Sequence, residues 1–174
     1  AKRNMPDWLS TDAPTLPRFL KTAGYATALF GKWHLANNMI PDSPVPSAYG
    51  YDTYGAFNCA GEQMPVHEDA MNAIKFIEKA EHDGKPFFIN LWLHEPHTPF
   101  HTVPKYEWRF RDMESETDAI YASVLSHADD RVGDVLNTLD ELQLTDNTLV
   151  IFSSDNGPAR AGGPAELKLS YDTA

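Results

Sequence analysis

The sequence predicts an α/β fold, a mostly parallel (mixed) sheet with helices on both faces. Three observations predict it. Segments of helical and strand character alternate along the chain; three short apolar runs have the length of strands; and the stretches between them carry apolar residues three and four apart. With 174 residues, 42 % apolar and 22 % charged, the chain has the size of one ordinary domain and the composition of a globular one.

Residues 15–24 are expected as a short helix, with Thr15 as N-cap, Pro17 in the first turn, Gly24 as its stop, and Leu16, Phe19, Leu20 and Ala23 on one apolar face. Residues 25–30, short, apolar and partly aromatic, read as a buried strand ending at Gly31. A second helix is expected over 68–80, where Met71, Ile74, Ile77 and Ala80 recur at helical spacing, and Gly84 closes that region. Residues 86–93 are almost continuously apolar, as a central strand covered on both faces would be. A proline-rich loop comes next. The longest helix is expected over 116–142, on the recurrence of Ile120, Val124, Ala128, Val132, Val135, Leu139 and Leu142. Residues 148–153 supply a third apolar strand, closed by Asp155-Asn156-Gly157-Pro158.

Charge excludes one class of partner. Lys and Arg number 14 against 25 Asp and Glu, a net charge of −11, the wrong sign for a surface that tracks nucleic-acid phosphates. No run approaches the roughly 20 apolar residues of a membrane-spanning helix, and the first ten residues lack the apolar stretch of a signal peptide. Cys59 is the only cysteine, so an internal disulfide and a Cys-rich zinc site are both excluded.

In open parallel sheets ligands bind beyond the carboxyl ends of the strands. The three expected strands deliver Lys32-Trp33-His34, His94-Glu95-Pro96-His97 and Ser153-Ser154-Asp155-Asn156 to that edge. Lys32 and His34 are two apart and on an extended segment point to one side, offering a fixed positive charge and a proton-handling group. His97, between Pro96 and Pro99, suits a general acid on a stiff loop; with His94 and His101 it also reads as a transition-metal triad. Asp155 and Asn156 offer one charged and one neutral hard oxygen, as calcium or magnesium prefers, although Asp-Asn-Gly-Pro is also an ordinary turn after a strand. Cys59 has no basic neighbour to activate it, and Ser153 and Ser154 lack a Gly-x-Ser-x-Gly elbow. Asp129, Asp130 and Arg131 read mostly as a solvated helix face. Trp33, Trp92, Phe100, Tyr106 and Trp108 read either as sugar-stacking platforms or as core.

Taken in series, these motifs resemble the type I sulfatase (arylsulfatase-like) family of the alkaline phosphatase superfamily. Residues 24–35, Gly-Tyr-Ala-Thr-Ala-Leu-Phe-Gly-Lys-Trp-His-Leu, look like the second sulfatase signature, and Pro96-His-Thr-Pro99 and Ser154-Asp-Asn-Gly-Pro158 come after it in the family's order. The resemblance implies an alkaline phosphatase/sulfatase-like fold, incomplete here, with residues 1–174 as the central part of the catalytic domain. It implies hydrolysis of sulfate esters, of a sulfated sugar or an aryl sulfate. By motif, Lys32 contacts the sulfate and the nucleophile, His34 hydrogen-bonds the hydrated formylglycine, and His97 holds a sulfate oxygen or assists the leaving alcohol. Asp155 and Asn156 become ligands of calcium rather than magnesium. The family's paired aspartates and its Cys-x-Pro-x-Arg motif have no match before Lys32: Cys59 lies after it and is followed by Ala60, Gly61, Glu62 and Gln63, and Lys168 does not match the family's later lysine. The nucleophile is therefore expected outside this chain, which by itself should not turn over esters. The same scaffold also serves phosphodiesterases and phosphonate monoester hydrolases, and a third reading is a non-catalytic sulfated-sugar binding module or inert remnant. The family's usual compartments are periplasmic, extracellular or lysosomal.

Overall fold

The first apolar run forms strand β1, Ala26–Lys32, in the computed structural model, which describes residues 6–36, 40, 42–57, 68–97 and 103–155. The chain divides into two units, Ala1–His94 and Glu95–Ala174. In the first, β1 lies between β2 (Thr53–Phe57) and β3 (Phe87–Trp92), both parallel to it. Leu29 sits opposite Tyr54 on one side and Asn90 on the other.

Successive side chains of a strand point to opposite faces, so β1 must be covered twice. On one face Ala28 and Phe30 pack with Ala73 and Phe76 of helix α2 (Asp69–His82) and with Ile89 and Leu91 of β3. On the other, Leu29 packs with Trp33, Tyr49, Tyr51 and Ala56. The second cover is thus built mainly from the stretch between β1 and β2, including a 3-10 turn at Pro46–Tyr49. Thr27, fully buried, keeps its hydroxyl satisfied by donating to the Gly50 carbonyl at 2.8 Å and accepting from the Asp52 amide at 3.1 Å.

Helix α1 occupies Leu16–Thr22, within the expected span, but its expected apolar face is not its buried one: Leu16 and Phe19 are 56 % and 62 % exposed. Polar bonds hold it instead, with Thr15 Oγ1 donating to the Tyr49 carbonyl at 2.6 Å and the Arg18 guanidinium donating to the Ala48 carbonyl. Spacing shows that a helix has an apolar stripe and not what lies against it. In α2 the buried stripe is Ala70, Ala73, Ile77 and Ala80, while Met71 is exposed. Of the expected stripe Ile77 and Ala80 are buried and Ile74 half-buried, so only Met71 departs from it, with Ala70 and Ala73 completing the buried face.

The sheet also departs from expectation in three places. Among the described residues the central strand is β1, and β3, expected there, flanks it half-buried. A continuous apolar run reports covered faces and not rank within a sheet. Strand β2 was not expected at all, because Thr53-Tyr-Gly-Ala-Phe57 is neither a continuous apolar run nor an alternating one. Residues 148–153, expected as a strand, are irregular, and Leu149 and Phe152 are each 85 % exposed. A strand requires a ladder as well as a composition, and among the described residues this segment has none.

The second unit contains α3 (Pro104–Phe110), α4 (Glu116–Glu141) and a 3-10 turn at Thr145–Asn147. Helix α4 starts where expected and stops one residue short of Leu142; the Ser115 side chain caps it by accepting from the Asp118 amide at 3.2 Å.

Gly31 is required twice over. Its φ is +107°, and a Cβ there would run into the Trp92 carbonyl of β3. Gly31→Ala is expected to destabilise the full-length protein by about 2–4 kcal/mol, combining left-handed strain with a displaced strand contact. A fall in the urea midpoint is the measurement, and an unchanged midpoint would contradict it.

Candidate functional site

Parallel strands that end level deliver the residues beyond them to one edge. Gly31 pairs with Trp92 of β3 and Lys32 with Phe57 of β2, so Lys32 and the residues after it leave at the carboxyl edge of the sheet. The Trp33 amide donates to the Phe57 carbonyl at 3.1 Å, extending the ladder one residue past β1. Its ring is fully buried against Tyr49, centroids 5.3 Å apart. The Tyr49 hydroxyl donates to the Leu9 carbonyl at 2.7 Å, and the Leu9 amide donates to the Leu35 carbonyl at 3.0 Å. Trp33 is thereby pinned inward, and its neighbours flank it outward: Lys32 is half-buried and His34 exposed.

His94, just past β3, places its ring edge-on to Phe57, with centroids 5.2 Å apart. That contact gives the ring a packing neighbour; of the triad reading of His94, His97 and His101, the last lies outside the described residues. Among the described residues no group of three or more His, Cys, Asp or Glu side chains is placed to hold a metal ion.

The second unit holds a buried charge cluster that the sequence did not reveal. Glu95, its side chain 2 % exposed, accepts at Oε1 from Arg131 Nη1 at 2.7 Å, and the Arg131 side chain is 8 % exposed. His127 Nδ1 lies 3.3 Å from the same oxygen. Glu95 Oε2 is buried and has no hydrogen-bond partner among the described residues. Burial pulls the Arg131 guanidinium down to about 10, which leaves it cationic at neutral pH. Arg131 was expected on a solvated face and is instead on the buried one; the available signal was its place seven residues after the buried Val124, on the same stripe.

Next to it, Tyr106 of α3 is buried, and its hydroxyl and Lys105 Nζ both bond the Asp130 carboxylate. Lys105, and then Tyr106, hold that carboxyl below the usual range, while Asp130 raises the Lys105 ammonium. Asp130 is therefore engaged rather than simply solvated, and α3 is tied to α4.

Lys32 and His34 thus stand together at one sheet edge of the first unit. His97 and Asp155, both exposed, belong to the second. Asn156, Cys59, Phe100 and Lys168 lie outside the described residues. Of the candidate sugar platforms, Trp33 and Tyr106 are buried and serve as core, whereas Trp108 is 65 % exposed.

Removing one partner of a buried pair leaves a stranded charge. Arg131→Met is expected to destabilise the full-length protein by about 3–5 kcal/mol, and Glu95→Leu with Arg131→Met together to recover most of it. Urea unfolding of both variants is the check; a single variant as stable as wild type would contradict the burial.

A family model described as Sulfatase matches residues 3–173. The chain is similar to the ulvan-active sulfatase of Formosa agariphila, 25 % identical over 206 aligned positions that cover 95 % of this chain and 40 % of that protein. It is also similar to the N-acetylgalactosamine-6-sulfatase of Canis lupus familiaris, 26 % identical over 184 positions covering 86 % and 34 %. The chain therefore spans about two fifths and one third of the length of these two relatives. Among solved structures, it is similar in fold to Ps i-CgsB in complex with k-i-k-neocarrahexaose, with a TM-score of 0.68 and 22 % identity over 83 % of this chain and 41 % of that one.

Proposed function

The chain belongs to the sulfatase family, and from that premise we propose that the protein hydrolyses sulfate esters of sugars, with residues 1–174 as the central part of the catalytic domain. The observation that carries this reading is the placement of Lys32 and His34 beside the anchored Trp33 at the carboxyl edge of a parallel sheet. The names of the relatives supply the substrate class: one is active on ulvan, another is an N-acetylgalactosamine-6-sulfatase, and the solved neighbour holds a neocarrahexaose.

The reaction converts an ester and water into an alcohol, sulfate and a proton. Lys32 sets a fixed positive charge against the non-bridging oxygens, where negative charge gathers as the sulfuryl group transfers. His34 hydrogen-bonds the attacking group and orients it. As the bond from sulfur to the leaving oxygen breaks, its electron pair stays on that oxygen, and His97 supplies the proton that completes the alcohol. The nucleophile, formylglycine by family membership, is proposed to lie outside this chain, since Cys59 has neither the proline nor the arginine of the family's motif.

Asp155 stands exposed, so its carboxylate is open to an ion, and with Asn156 it offers the hard-oxygen chemistry that suits calcium. A bound divalent ion would supply further positive charge to the sulfate oxygens. The net charge of −11 argues against nucleic acid as a partner. No helix among the described residues is long and apolar enough to cross a membrane. A periplasmic, extracellular or lysosomal compartment is part of the proposal on family membership alone.

The full-length protein, assayed on 4-nitrophenyl sulfate and 4-nitrophenyl phosphate, is expected to prefer the sulfate. Lys32→Ala should lower kcat/KM by about 10²–10³-fold. Chelation should lower activity and calcium restore it, with Asp155→Ala weakening calcium binding in calorimetry. Faster release from the phosphate would move the protein to the phosphodiesterase or phosphonate hydrolase class. Binding of sulfated sugar without hydrolysis would make it a binding module.

A further inference from the structure

Glu95 and His97 are two residues apart, yet one is among the most buried charged groups of the described chain and the other is exposed. We propose that Arg131 is a positioning residue for His97, acting through Glu95: the ion pair fastens the segment Glu95-Pro96-His97 to the middle of α4 and so sets where the imidazole is presented. The proposal rests on the sulfatase reading above, and names a device of that site which lies outside the motif series.

Glu95 itself can be set aside as an acid or base. Its side chain is 2 % exposed and one of its oxygens is held by Arg131 Nη1 at 2.7 Å, so no substrate reaches it. Arg131 is equally unsuited to bind a sulfate, being buried and already spent on a carboxylate. A buried ion pair adds little stability over apolar residues of the same volume, so its presence calls for a reason other than stability. Direction is the reason this geometry offers. A charge-assisted bond from a planar guanidinium fixes the angle as well as the distance of its partner. His127, one turn before Arg131 on α4, places Nδ1 3.3 Å from the same Oε1. The anchor is a 26-residue helix with a capped start, to which α3 is also tied through Lys105, Tyr106 and Asp130. A loop histidine two residues from such an anchor inherits its rigidity.

Proton donation demands that rigidity, because the donor must lie within hydrogen-bond reach of the leaving oxygen as the sulfur–oxygen bond breaks. A displacement of about 1 Å can lower the rate 10²-fold. The demand is unequal among substrates: 4-nitrophenolate leaves readily without a proton, whereas phenolate, the stronger base, depends on one. A residue that positions the acid therefore reveals itself in the leaving-group dependence, which a loss of stability does not alter.

The test uses the full-length protein, with kcat and KM measured on phenyl sulfate and on 4-nitrophenyl sulfate. In the Glu95→Leu/Arg131→Met variant, kcat on phenyl sulfate is expected to fall about 10²-fold and on 4-nitrophenyl sulfate less than about 10-fold, with KM little changed. Arg131→Lys, which keeps the charge and loses the planar fork, should show a smaller loss with the same bias toward phenyl sulfate, and remains informative if the double variant does not fold. Parallel losses on the two esters, or no loss in either variant, would overturn the positioning role while leaving the sulfatase reading intact. A wild-type protein inert on both esters would overturn that reading and the proposal with it.

Discussion

Five consecutive residues of β1, Thr27 to Gly31, are buried, and a strand in that position must satisfy its backbone at both edges and its side chains on both faces. The first unit is arranged to meet that requirement. β2 and β3 complete the ladders, α2 covers one face, and Tyr49, Tyr51 and Trp33 cover the other. The functional consequence emerges where the strand runs out. Gly31 turns left-handed beneath the Trp92 carbonyl, Trp33 is drawn into the core, and Lys32 and His34 are left on either side of a fixed point. The two side chains proposed to meet the sulfate flank a tryptophan held by hydrophobic burial.

The second unit solves its positioning problem by different means. In the described segment Glu95-Pro96-His97 the buried side chain is a carboxylate, with Pro96 and His97 exposed. Desolvating Glu95 is tolerable only because Arg131 neutralises it at 2.7 Å. Hydrophobic contact determines which residues are inside, but it constrains direction weakly, whereas a buried hydrogen-bonded pair does both. The two devices suit the proposed tasks, in which Lys32 acts as a placed charge and His97 as an aimed proton donor.

How much of this could be read from the sequence depends on how local each feature is. Helix α4 was legible almost to the residue, because cap, length and periodicity all lie within the segment. β1 and β3 were legible as apolar runs, but not their order, which depends on pairing. β2 and residues 148–153 are mirror cases. Thr53–Phe57 is a strand paired with β1, and the apolar segment after α4 is irregular, with no ladder among the described residues. The placement of Lys32 and His34 at the carboxyl edge of the sheet was legible from their position just past an apolar run. Arg131 was not, since a charged residue in a helix is read as solvated until its partner is known, and Glu95 lies 36 positions away.

The proposed chemistry stands on attack at sulfur, with the sugar oxygen departing as an alcohol that has received a proton. Hydrolysis of a sugar sulfate by the full-length protein in water enriched in oxygen-18, with mass analysis of both products, tests this most directly. The label is predicted in the inorganic sulfate, with the released sugar keeping its original oxygen. Label in the sugar hydroxyl would mean that the carbon–oxygen bond breaks instead, and that Lys32, His34 and His97 do not serve the chemistry assigned to them.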